Sequence, residues 1–131
     1  MGKIFRRREE MAVLSDEAKR MIREMGPAVV ATASKDGTPN LSPKGSFRVL
    51  DDEHVAFADI ASPQTVANIR ENPRVAAIVF DASQRKGCRI WGSAEILAEG
   101  DLFNSMKEEF ARRGMEVKHV IRVKVEKVKM L

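Results

Sequence analysis

The sequence predicts a mainly β fold, a six-stranded, largely antiparallel barrel with short flanking helices. Three observations predict it. Apolar and β-branched runs of strand length recur along most of the chain, turn signals separate them, and only three segments carry helical spacing. A doubly wound α/β layout needs a helix after nearly every strand, and this chain lacks them. Its 131 residues suit one domain, and a hydrophobic share of 44% beside 32% charged residues is too apolar for disorder.

Residues 1–14 form a charged N-terminal extension with Arg6, Arg7 and Arg8 in a row, read as a solvated terminus, and residues 15–131 form the single domain. Ser15 caps a first helix, with Asp16 and Glu17 in the turn where the helix dipole favours anions. Ala18, Met21, Ile22 and Met25 give its apolar stripe, and Gly26-Pro27 ends it. Residues 28–34 read as a strand, Lys35-Asp36-Gly37-Thr38 as a turn, and residues 40–50 as the hairpin partner. Asp51-Asp52 turns the chain into a third strand at 54–60. A short helix over 62–70 is closed by Asn72-Pro73. Residues 75–80 are apolar at both parities, which predicts a strand buried on both faces. A strand at 88–97 follows, then a helix from Asp101 to Gly114 with Leu102, Phe103, Met106 and Phe110 inward, and a last strand over 117–128.

Several functions are disfavoured at once. The chain has no Gly-rich dinucleotide fingerprint and no phosphate-cradling Walker loop. His54, His119 and Cys88 have no metal-ligand spacing, so no metal site is expected. With no Tyr and one Trp, the aromatic pairs of an RNA-binding sheet are missing, and no nucleic-acid partner is expected. Apolar runs such as 75–80 are far too short to cross a bilayer and no signal-peptide pattern is visible, so no membrane partner is expected. Cys88, the only cysteine, excludes an internal disulfide and points to a reducing, cytoplasmic setting. The net charge of +4 suits an anionic ligand without identifying one.

Three places carry a chemical signal, each beside a plainer alternative. At Ser62-Pro63-Gln64-Thr65, Ser62 reads as the helix cap and Pro63 as its first residue. The free amides of Gln64 and Thr65, with their side chains beside them, make either an anion site or only a well-started helix. Along 40–50, the even positions Ser42, Lys44, Ser46 and Arg48 are polar, while Leu41, Pro43, Gly45, Phe47 and Val49 look inward. That polar face is a wetted strand or a cradle for a phosphate and a polar ring edge, and Gly45 would allow a ligand close to the backbone. Trp91 lies at the polar parity of its strand with Arg89, Ser93 and Glu95, so it needs a cover: another element, a second subunit or a flat ring.

In order and spacing these pieces resemble the pyridoxamine 5'-phosphate oxidase-like FMN-binding split-barrel family, which includes the small FMN-binding protein of sulfate reducers. The matching run is residues 31–40, Lys44 to Val49, Ser62-Pro63-Gln64-Thr65, Asn68-Ile69, Glu71-Asn72-Pro73-Arg74-Val75 and residues 89–95, spanning roughly 15 to 128. The resemblance implies a split barrel and a homodimer with FMN at the subunit interface. It implies that Lys44, Gly45, Ser46, Phe47 and Arg48 run along the flavin ring and ribityl chain, that Ala58 and Asp59 line the cofactor, and that Gln64 and Thr65 hold its phosphate. Gln64 replaces the commoner cation of that motif, so phosphate charge falls to Arg48, Lys44 or a partner residue. The implied function is an FMN-dependent oxidoreductase acting on a small molecule, with an electron carrier lacking its own substrate, or a deazaflavin- or haem-binding relative, as alternatives. Vitamin B6 chemistry is not implied, because a C-terminal substrate-phosphate segment is not found in this sequence. Lys44 and Asp59 are the nearest candidates for acid–base work, and both are equally explained as binding groups.

Overall fold

In a computed structural model, residues 10–131 are described, so the arginine run at 6–8 lies outside the described residues. Strand β1 (Glu10–Met11) leads to helix α1 (Asp16–Glu24), whose start is capped by the Ser15 hydroxyl accepting from the Ala18 amide at 3.1 Å. The next elements are β2 (Ala28–Ala33), β3 (Pro39–Lys44), β4 (Arg48–Val49) and β5 (His54–Asp59). Helix α2 (Pro63–Glu71), β6 (Arg74–Asp81), β7 (Lys86–Leu97), helix α3 (Asp101–Ala111) and β8 (His119–Met130) complete the chain. Between β2 and β3, the Asp36 carboxylate accepts from the Thr38 amide at 3.0 Å and from its hydroxyl, while Gly37 takes φ +91°. Hydrogen bonds from Ser34 and Thr38 lower the Asp36 carboxyl to about 2.

The strands form one antiparallel sheet in the order β3-β2-β6-β7-β8-β5-β4, with β1 paired on β8. Its two outer strands, β3 and β4, come from a single stretch of chain. The sheet therefore curls into a barrel that closes through the turn at 44–47 instead of through a ladder, and this makes the barrel split.

Three expectations need correction. Eight strands replace six, because β1 adds one and residues 40–50 divide into two. The division has a packing cause. Phe47 leaves the strand path to stack on Phe57, with ring centroids 6.2 Å apart, and the Ser46 hydroxyl accepts from the Ala58 amide at 2.8 Å. Parity from Leu41 through the turn to Ser46 is also opposite to expectation, since Leu41, Pro43 and Gly45 are exposed whereas Lys44 and Ser46 are buried. Finally, β6 is not buried on both faces: Val75, Ala77 and Val79 point inward, Ala76 and Ile78 are half-buried, and Phe80 is 54% exposed. The strand buried on both faces is β5. Its Val55 and Phe57 face the barrel core under α1, and its Ala56 and Ala58 lie beneath Phe103, Met106 and Phe110 of α3.

Cys88 belongs to the barrel core with no exposed surface, and burial, reinforced by Glu17, pushes its thiol up to about 11. A thiol reagent added to the native protein should therefore leave Cys88 unmodified until denaturant unfolds the barrel. Fast labelling of the native chain would contradict this packing. No described helix is long and apolar enough to cross a membrane.

Candidate functional site

Where β3 runs into the closing turn, facing the end of β5 and the end of α3, the chain encloses a hollow of about 560 Å³. Ser42, Lys44, Gly45 and Ser46 line one side, Ala58 and Ile60 another, and Arg113 and Met115 close the third. Four residues implied for the cofactor thus converge, Lys44, Gly45, Ser46 and Ala58, and Ser62 of the candidate anion segment joins them through its hydrogen bond with Lys44. Gly45 has open space around it, with no atom within 4 Å of where a Cβ would stand.

Lys44 is 7% exposed, and its ammonium donates to the Ser62 hydroxyl at 2.6 Å. It lies 5.6 Å from the centre of the Phe57 ring and makes no ion pair among the described residues. Burial lowers its proton affinity, and the Asp59 carboxylate partly restores it. The hydrogen bonds continue beyond Lys44. Ser62 donates from its hydroxyl to Asp59 Oδ1 at 2.8 Å and from its amide at 3.2 Å, and Asp59 Oδ2 meets His119 Nδ1 at 2.8 Å. Burial pushes the Asp59 carboxyl up, but these hydrogen bonds from His119 and Ser62 outweigh it and the net shift is downward.

Ser62 is therefore not the cap that its place before Pro63 predicts. Its hydroxyl is committed to Lys44 and Asp59, and α2 begins without a side-chain cap. Gln64 is exposed, and its side-chain amide bonds Asn68 Oδ1 at 2.8 Å. Asn68 in turn donates to the Thr32 hydroxyl at 3.0 Å within a buried row that includes Thr65, which is 1% exposed. Arg48 is held by a bidentate pair with Glu109 of α3, at 2.8 and 3.0 Å. Phe47 faces the core. Trp91 sits on the outer face of the sheet, opposite Ala76, with the Lys127 ammonium 4.2 Å from its ring centre and Arg89 at 5.6 Å. Within one chain it lines a different surface from the Lys44 hollow.

Sequence reasoning missed Arg113, Glu109 and His119. The first two follow α3 into the site, and no motif marks them. His119 meets Asp59 because β5 and β8 pair in the register Asp59↔His119, which no local pattern reveals.

The geometry can be set beside known proteins. The family described as pyridoxamine 5'-phosphate oxidase matches residues 14–131. An uncharacterized protein of Methanocaldococcus jannaschii is 37% identical over 81 residues, covering 60% of this chain and 54% of that protein. The chain thus spans about half the length of that curated relative. Among solved structures, HupZ of Group A Streptococcus is 31% identical with a TM-score of 0.83, over 90% of this chain and 94% of that one. An FMN-binding protein from Syntrophomonas wolfei, at 16% identity and a TM-score of 0.76 over 85% of this chain and 80% of that one, shares the fold. So does the haem storage protein HutZ of Vibrio cholerae, at 18% identity and a TM-score of 0.67 over 86% and 90%. With a family match over nearly its whole length and the split barrel in place, the chain belongs to the pyridoxamine 5'-phosphate oxidase family.

Proposed function

We propose that the chain is an FMN-binding flavoprotein that works as a homodimer, and that it is an oxidoreductase acting on a small molecule. The observation that carries the reading is the hollow at the closing turn. Its volume lies within the range of cofactor pockets, and Gly45 leaves a gap there that a Cβ would fill. A buried cation without an ion pair, Lys44, stands beside that gap, and its hydrogen bond to Ser62 ties it to the uncapped start of α2. A phosphate would satisfy both. Arg113 supplies a second positive charge in the lining; Glu109 reaches it only at 3.8 Å, whereas it holds Arg48 in a bidentate pair. Bound there, FMN would supply the hydride or electron chemistry; the protein's part is to hold and orient it.

Assembly rests on the outer sheet face. Leu41, Ala31, Ala76 and Trp91 sit opposite one another across four strands, and none is buried; Leu41 is 70% exposed. Such an apolar row suits a second copy of the chain. Light scattering should return a dimer mass. A monomer at full FMN occupancy would sink this part of the reading.

The cofactor is tested by titrating apoprotein with FMN and riboflavin. Gly45→Ala should leave the melting temperature unchanged while weakening FMN binding, because only a ligand would meet the new methyl group. Lys44→Met should weaken FMN about tenfold or more relative to riboflavin, the loss of one charge-assisted hydrogen bond. Failure of the parent protein to bind FMN would overturn the reading, and a Soret band after haem addition would move it toward the likeness with HutZ. Anaerobic mixing with NADPH, NADH and a reduced carrier protein separates turnover from electron carriage. Bleaching by a pyridine nucleotide supports the oxidoreductase, and bleaching by the carrier alone supports the electron-transfer role.

A further inference from the structure

On the other side of the Asp59–Ser62 segment lies a second hollow, of about 350 Å³. Pro63, Val66 and Ala67 of α2 give it an apolar wall, and Arg70, Lys118 and His119 stand around it. Neither Arg70 nor Lys118 makes an ion pair among the described residues, so the charge at this recess is not already neutralised by a carboxylate.

His119 is fixed in place by its Nδ1 contact with Asp59 at 2.8 Å, and its other ring nitrogen, Nε2, faces the Arg70 guanidinium at 3.5 Å. Asp59 makes no ion pair with Arg70; its two oxygens bond Ser62 and His119 instead. The Arg70 guanidinium and the His119 ring therefore converge on one side of an apolar recess, and a second cation, Lys118, lies beside them.

We propose that this hollow is a binding site for a small carboxylic acid with an apolar body. The carboxylate lies on the Arg70 guanidinium, which His119 positions, Lys118 adds charge, and the body of the molecule rests on Pro63, Val66 and Ala67. The planar guanidinium fork matches a carboxylate in two hydrogen bonds. Asp59 in the wall selects against a phosphate dianion, which would bring a second negative charge close to a buried carboxylate. This site does not depend on flavin binding, although the Lys44–Ser62–Asp59–His119 chain of hydrogen bonds joins it to the hollow at the closing turn.

The test is an amide-resolved NMR titration of the full chain with sodium benzoate, with inorganic phosphate in parallel and with saturating FMN present or absent. Benzoate should shift the amides of Val66, Ala67, Arg70 and His119 saturably, with a dissociation constant on the order of 1 mM. Arg70 is exposed and unpaired, so Arg70→Gln should fold normally and weaken benzoate about tenfold. Arg70→Lys, which keeps the charge and loses the fork, should fall between the two. No saturable shift at these residues would overturn the site, as would equal binding by Arg70→Gln. Tighter binding of phosphate would overturn the choice of a carboxylate. Competition between benzoate and FMN would give the hollow to the flavin and overturn the proposal, whereas a chain that binds benzoate and no FMN would uphold it while the flavoprotein reading failed.

Discussion

Gly92→Ala should destabilise the barrel by about 3 kcal/mol, the upper end of what overpacking costs. A Cβ at this position would lie 2.2 Å from the Lys124 carbonyl oxygen and 2.7 Å from Val123 Cγ1. Neither neighbour can retreat easily. Val123 is a buried core residue, and Lys124 belongs to β8, which is held between β7 and β5 by ladders on both sides. The register of β7 against β8 slips between Trp91 and Gly92, a bulge that brings the two backbones close where glycine alone fits. Urea unfolding read by circular dichroism measures the effect, with Gly45→Ala as the control, since nothing lies within 4 Å of its added methyl group. Equal stability of the Gly92 variant and the parent would mean that the bulge relaxes.

Part of this architecture was legible in the sequence, and the part that was not has a consistent cause. Signals confined to a few neighbouring residues were read correctly: the Ser15 cap, the Asp36-Gly37 turn, Pro63 at the start of α2, and the stripe of Phe103, Met106 and Phe110. Features set by partners far along the chain were not. Alternation of Ser42, Lys44, Ser46 and Arg48 reads as a wet strand face, yet Lys44 and Ser46 are buried because Ser62 and the Ala58 amide receive them. Ser62 looks like a cap until Lys44 and Asp59 compete for its hydroxyl. Glu109 reaches Arg48 from 61 positions away, and His119 reaches Asp59 from 60. Each of these contacts is fixed by strand register or helix placement, which local spacing does not encode.

Asp59→Ala should cost about 3 kcal/mol at neutral pH, comparable to removing one member of a buried ion pair. The carboxylate is 4% exposed and accepts from the Ser62 hydroxyl, the Ser62 amide and His119, so alanine leaves all three donors facing a void beside buried Lys44. Asp59→Asn keeps the shape and one acceptor oxygen, and should lose less. The pH dependence identifies the charge as the cause. Because the folded-state pKa of Asp59 is shifted downward, its ionised form contributes stability that is complete above the unfolded carboxyl value and fades as pH falls through the lower folded value. The gap in unfolding free energy between the parent and Asp59→Asn should accordingly hold steady from neutral pH down to about 5 and shrink below about 4. Lys44 should respond through the same contacts: with Asp59 neutralised, the charge that helped keep its ammonium protonated is gone, so its proton affinity should fall further. Urea titrations across this range, beside the Lys44 side-chain resonance in parent and variant, measure both effects. A gap that widens toward acid, or a Lys44 resonance indifferent to Asp59, would show that the chain of hydrogen bonds from His119 to Lys44 does not act as one electrostatic unit.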